Sequence, residues 1–114
     1  MAEQPSRQQI LQTQYNSYKS RLQQIAQKIV DLETDADEHK LVMDTLNSMD
    51  NNRRCFRMIH GVLVERTVGT VVPILKTTQE GIQTAMNGLL DQYKQLEAEF
   101  QKFQKDNKIQ VVRQ

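Results

Sequence analysis

Few residues in this chain carry reactive chemistry. There is one cysteine, Cys55, and there are two histidines, His39 and His60. An acidic run, DLETDADE, covers Asp31 to Glu38, and four arginines (Arg53, Arg54, Arg57 and Arg66) cluster in the middle. A zinc-type site needs several ligands at short, regular spacing, and Cys55 and His60 do not stand at such spacing to His39. No glycine-rich phosphate loop and no nucleophile paired with a base is present. The sequence therefore gives no enzyme and no cofactor. The acidic run reads as a solvated helix face. The arginines lack the aromatic stacking set of an RNA binder, and a net charge of +1 lacks the basic excess of a nucleic-acid or anionic-membrane partner.

The single cysteine excludes an intrachain disulfide framework and suits a reducing compartment. No apolar run approaches the roughly 18 residues that span a bilayer, and the opening MAEQPSRQQI lacks a signal-peptide core. The expectation is a cytoplasmic chain without a membrane partner. Its 114 residues make one domain, yet with no Trp and 5% aromatic content a conventional close-packed core is not expected.

What the sequence does contain is spacing. In the first half, Tyr15, Leu22, Ile29, Ala36 and Met43 fall on heptad a positions, and Leu11, Tyr18, Ile25, Leu32, His39 and Leu46 on d positions. All but His39 are apolar or aromatic. A stripe recurring every 3.5 residues marks a helix that buries one narrow seam against another helix. A second track follows Pro73, with d at Leu75, Ile82, Leu89, Leu96 and Phe103, and a at Gln79, Met86, Tyr93 and Phe100. Gly81 and Gly88 lie inside it as weak points. At 1.5 Å per residue each track is about 50 Å long. Two helices of equal length on a short connection fold back as an antiparallel pair. The spacing predicts a helix over 7–50 and another over 70–107.

Between them stands RRCFRMIHGVLVERTV, residues 53–68. Its two apolar, β-branched halves around His60-Gly61 predict a β-hairpin over 54–67. The expected opposed pairs are Ile59 with Val62, Met58 with Leu63, and Arg57 with Val64. One face then carries Cys55, Arg57, Ile59, Val62, Val64 and Arg66, and the other Phe56, Met58, Leu63 and Glu65. Both are apolar near the turn. Full burial of such side chains is worth about 1.5–3 kcal/mol each, but ordering the backbone costs about 1–2 kcal/mol per residue. A lone hairpin at the end of a helix pair cannot bury both faces or pair both edges. Phe56, Met58, Ile59, Val62, Leu63 and Val64 are thus expected to pair with hairpins of other subunits.

At the opposite end, Ile10, Leu11, Tyr15 and Tyr18 of the first helix meet Phe100, Phe103, Ile109, Val111 and Val112 of the second. Spacing leaves two roles open for this tip: completing the seam, or offering adaptable apolar surface to a non-native chain.

Particular residues carry a family resemblance. The hairpin segment followed by VVPIL, the stretch DEHKLVMDTL (Asp37 to Leu46) and the stretch FQKFQKDNKIQVV (Phe100 to Val112) resemble, in order and spacing, the prefoldin family. The similarity covers nearly the whole chain. Its CFRM and GVLVER elements are specific to one eukaryotic subunit type, and a single hairpin matches the β-type subunits. The resemblance implies a mostly α fold, a long antiparallel two-helix coiled coil with one central hairpin that joins an intersubunit β-barrel. It implies a heterohexamer of α-type and β-type subunits. It implies ATP-independent holding of unfolded actin and tubulin at the coiled-coil tips, with transfer to the cytosolic group II chaperonin. It favours client contact at the tip, with Ile109, Val111 and Val112 free of the seam. The family commonly has Gly-Gly where this chain has His60-Gly61, which leaves the turn type open. A coiled-coil scaffold or tethering subunit of another complex is the alternative.

Overall fold

The computed structural model describes residues 4–109. The element order is α1 (Arg7–Asn47), β1 (Arg54–Ile59), β2 (Val62–Thr67) and α2 (Val68–Asp106). Two compact units divide these elements. One combines the chain up to Val30 with the chain from Gly88 onward, and the other is Asp31–Asn87.

Burial follows the heptads position by position. Every a and d residue named above, from Leu11 to Leu46 and from Leu75 to Phe103, is half-buried or buried, and the positions between them are almost all exposed. Ile29, Met43 and Leu96 are the buried members of the two tracks. This is a stripe one residue wide and not a core in the globular sense. His39 takes its d position with its Nε2 buried and without a hydrogen-bond partner. The charged members of the acidic run, Asp31, Glu33, Asp35, Asp37 and Glu38, are exposed.

In the hairpin unit, α1 stops at Asn47, three residues short of the expected boundary. The sequence that follows offers its backbone better local partners than a further helical turn. Met49 N–H donates to the Leu46 carbonyl at 3.0 Å and the Ser48 hydroxyl to that of Thr45 at 2.8 Å. Asn52 N–H then donates to Asp50 Oδ1 at 2.9 Å, and Arg53 N–H to the Asp50 carbonyl at 3.0 Å. Asn, Asp and Ser compete with helix in this way.

β2 runs into α2 without a loop, so α2 begins two residues earlier than expected. The first amides of a helix lack intrahelical acceptors, and here the loop supplies them. Val68 N–H donates to the Arg53 carbonyl at 3.0 Å, and Gly69 N–H to the Asn51 carbonyl at 2.9 Å. The Thr70 hydroxyl closes the corner by donating to the Thr67 carbonyl at 2.8 Å. Val68 and Val71, 1% and 5% exposed, are the best-buried residues of this unit. Pro73 therefore falls on the sixth residue of α2, beyond the free first turn, where its missing N–H leaves the Gly69 carbonyl without its helical donor.

Position 69 is a close approach, where an added Cβ would press Asn51 back by a few tenths of an ångström. A Cβ there would stand 3.2 Å from the Asn51 carbonyl oxygen, the acceptor that caps the helix. Nothing lies within 4 Å of a Cβ added at Gly81 or Gly88. Gly81→Ala and Gly88→Ala are accordingly expected to raise stability by about 0.5–1 kcal/mol each. Gly69→Ala is expected to lower it by about 1–3 kcal/mol through clash and loss of the cap. Thermal unfolding followed by circular dichroism checks both signs, and a stabilising Gly69→Ala would contradict the junction described here.

Candidate functional site: an open hairpin face and a closed helix tip

β1 and β2 pair antiparallel, with Ile59 opposite Val62, Met58 opposite Leu63, Arg57 opposite Val64, Phe56 opposite Glu65, and Cys55 opposite Arg66. This register puts Cys55, Arg57, Ile59, Val64 and Val62 on one face and Phe56, Met58 and Leu63 on the other. The first face is partly covered: Cys55, Arg57, Ile59 and Val64 are half-buried. The second is open, with Phe56 63%, Met58 65% and Leu63 61% exposed, and Val62 beside the turn is 62% exposed. Among the described residues the sheet has only these two strands, so each contributes an unpaired edge.

The turn geometry is explicit. His60 has φ 49° and Gly61 φ 80°. Positive φ at both central positions is the signature of a type I′ turn, whose twist suits a two-residue hairpin. The β-carbon of His60 makes this region costly for it, whereas Gly61 enters it freely. One of the four arginines is engaged across the strands, Arg54 Nε standing 3.2 Å from Glu65 Oε1 in an exposed ion pair. Such a pair is worth at most about 1 kcal/mol. Among the described residues no group of three or more His, Cys, Asp or Glu could hold a metal.

The other unit holds the ends of both helices. Tyr18 stacks on Phe100 with ring centroids 5.3 Å apart and planes 16° apart, Tyr15 meets Phe100 edge-on at 5.2 Å, and Tyr18 lies tilted against Phe103 at 5.2 Å. The Lys19 ammonium lies 5.5 Å above the Tyr15 ring, a cation–π contact. Further along, Arg21 and Ile25 share a groove with Gln92, Gln95, Leu96 and Glu99. As α1 ascends in number α2 descends, so the helices are antiparallel.

Both helix ends are closed by specific backbone chemistry. Ser6 N–H donates to Gln9 Oε1 at 2.9 Å and Gln9 N–H to Ser6 Oγ at 3.2 Å, a reciprocal capping box. Its sequence signal, Ser6-x-x-Gln9, stands just before the heptads and was legible, although spacing arguments alone passed over it. At the far end of α2, Ile109 N–H donates to the Gln104 carbonyl at 2.9 Å and Lys108 N–H to that of Lys105 at 3.3 Å, with Lys108 at φ 53°. This is a Schellman motif with lysine in the left-handed position that glycine usually fills.

The residues expected at the tip therefore fall into groups. Tyr15, Tyr18, Phe100 and Phe103 are brought together and face one another. Ile10 is 45% exposed and Leu11 half-buried. Ile109 is half-buried, because the Schellman turn folds it back toward the helix end. Val111 and Val112 lie outside the described residues.

A single apolar hairpin, open on one face and set between two long heptad helices, defines the class of protein. The sequence matches the family described as Prefoldin subunit over residues 9–114, and the chain belongs to that family. It is 43% identical over 104 residues to Prefoldin subunit 2 of Saccharomyces cerevisiae, covering 91% of this chain and 94% of the relative. It is 34% identical over 110 residues to Prefoldin subunit 2 of Arabidopsis thaliana, covering 96% and 74%. With Prefoldin subunit 2 of Homo sapiens it shares 37% identity over 98 residues, 86% of this chain and 64% of the relative. The prefoldin beta subunit from Thermococcus strain KS-1 has the same fold, with TM-score 0.79, 23% identity and 93% of each chain covered. The fold is thus that of a prefoldin beta subunit, two long helices joined through one antiparallel hairpin.

Lys108→Gly removes the left-handed strain of about 1 kcal/mol at the end of α2. It is expected to slow amide hydrogen exchange at Lys108 and Ile109 several-fold. Unchanged or faster exchange at both amides would show that the turn is not limited by Lys108.

Proposed function

We propose that this chain is a subunit of a heterohexameric prefoldin co-chaperone in the cytoplasm, associating with α-type and β-type subunits through its hairpin. In this reading the complex captures unfolded polypeptides, actin and tubulin among them, at the coiled-coil tips. It does so without ATP and passes them to the cytosolic group II chaperonin. The role is one of binding, not catalysis.

The observation that carries the reading is the open hairpin face. Phe56, Met58 and Leu63 offer an apolar surface between two unpaired strand edges, which a neighbouring hairpin covers and extends at once. Family membership supports co-assembly with other prefoldin subunits. Client capture is supported by several arms acting together, since weak contacts at separate tips multiply by avidity. A coiled-coil tether built on the same hairpin is the competing account, and a tether does not suppress aggregation.

Two measurements separate these accounts. Phe56→Ser combined with Leu63→Ser is expected to abolish incorporation into the complex, read by native mass spectrometry after co-expression with the other subunits. Deleting residues 1–10 and 104–114 is expected to leave assembly intact and to weaken protection of unfolded actin against aggregation several-fold. Full protection by the truncated complex would remove the tip from the mechanism.

A further inference from the structure

The four rings at the tip combine two properties that a client-binding surface should not share. They are the residues of this unit most committed to one another, with three ring–ring contacts between 5.2 and 5.3 Å. They are also fenced by polar groups. One groove beside Tyr18 and Phe103 is lined by Gln14, Ser17 and Arg21. A second groove against the same two rings is lined by Glu99, Lys102, Asp106 and Asn107. An apolar client segment reaching these rings would have to displace ring from ring and desolvate charged side chains. Reaching Ile10 requires neither.

Past the rings, the capping box and the Schellman turn hold the last turns of both helices. Ile10, Leu11 and Ile109 all lie on this outer side, about two helical turns beyond the level at which Tyr18 meets Phe103.

We infer that Tyr15, Tyr18, Phe100 and Phe103 form a clasp that stays closed while a client is held. They act as positioning residues that keep the two helix ends side by side, and the client-contacting groups begin beyond them with Ile10, Leu11 and Ile109. This rests on the tip-capture reading above and narrows it. The side chains beyond the rings make the contact, with Ile10 the most exposed of them, and the half-buried aromatic seam fixes where they stand.

The test uses the assembled complex, with this chain carrying 3-fluorotyrosine and isoleucine labelled at the δ1 methyl, titrated with denaturant-unfolded actin. The expected result is shifts or broadening at the Ile10 and Ile109 methyls while the fluorine signals of Tyr15 and Tyr18 stay in place. Fluorine shifts at Tyr15 or Tyr18 of the same relative size as the methyl shifts would overturn the closed clasp and leave tip capture standing. Silence at every one of these groups would instead overturn tip capture itself, and the clasp's role with it. A variant pair adds a second readout. Phe100→Ala is expected to move the Tyr15 and Tyr18 signals toward solvent-exposed positions and cut aggregation suppression several-fold, whereas Phe100→Tyr keeps both. Undiminished suppression by Phe100→Ala with its tyrosines exposed would also sink the positioning role.

Discussion

A two-stranded sheet with apolar side chains on both faces cannot be satisfied by the chain that makes it, and the rest of this structure depends on that constraint. Only the face carrying Cys55, Arg57, Ile59 and Val64 is partly covered, and both strand edges remain unpaired. The heptad helices cannot supply what is missing, because a seam of a and d residues is narrow and is used up in their own pairing. In the proposed assembly a neighbouring hairpin supplies both, pairing an edge and covering a face together.

That answer works only if the hairpin is held at a fixed angle to its helix. The junction shows how. The carbonyls of Asn51 and Arg53 take the first two amides of α2, so the loop that leaves α1 also caps the helix that follows the sheet. Each such bond contributes only about 0.5–1.5 kcal/mol net. An uncapped amide in the same place costs more than the bond returns, so the pair is directional as well as stabilising. Gly69 is the steric condition for it, and the turn chemistry of Asp50 and Asn52 is the conformational one.

Much of this was legible in the sequence, for reasons that differ by element. The helices could be read because a and d positions are chosen by burial, and His39 and Gln79 keep their places even as polar residues. Strand pairing could be read because His60-Gly61 leaves a single register with two turn residues. The turn type needed coordinates, since His at φ 49° breaks the usual glycine pattern. Helix ends were harder. The stop after Asn47 depends on side-chain competition across Ser48, Asp50 and Asn52, and the start at Val68 on acceptors from a distant loop. The Schellman turn was invisible because its left-handed residue is Lys108. At the tip, spacing placed Tyr15, Tyr18, Phe100 and Phe103 on the seam but could not weigh how firmly the rings hold one another.

The proposed function asks the hairpin to hold permanently and the tip to hold reversibly, and the two surfaces differ in strength accordingly. Covering Phe56, Met58, Val62 and Leu63, each almost two-thirds exposed, is worth roughly 1 to 2 kcal/mol per side chain before any strand pairing is counted. Added over several subunits, that locks an assembly. At the tip the clasp has already consumed the large aromatic surfaces, and Ile10, Leu11 and Ile109 leave only a few kcal/mol for any partner. A contact of about 4 kcal/mol corresponds to a dissociation constant near 1 mM. In the proposed complex, one arm alone releases what it touches, while several arms together retain it through effective concentration. In the proposed capture, opening the clasp raises the affinity of each arm and slows release, so rings that stay closed favour transfer as well as shape.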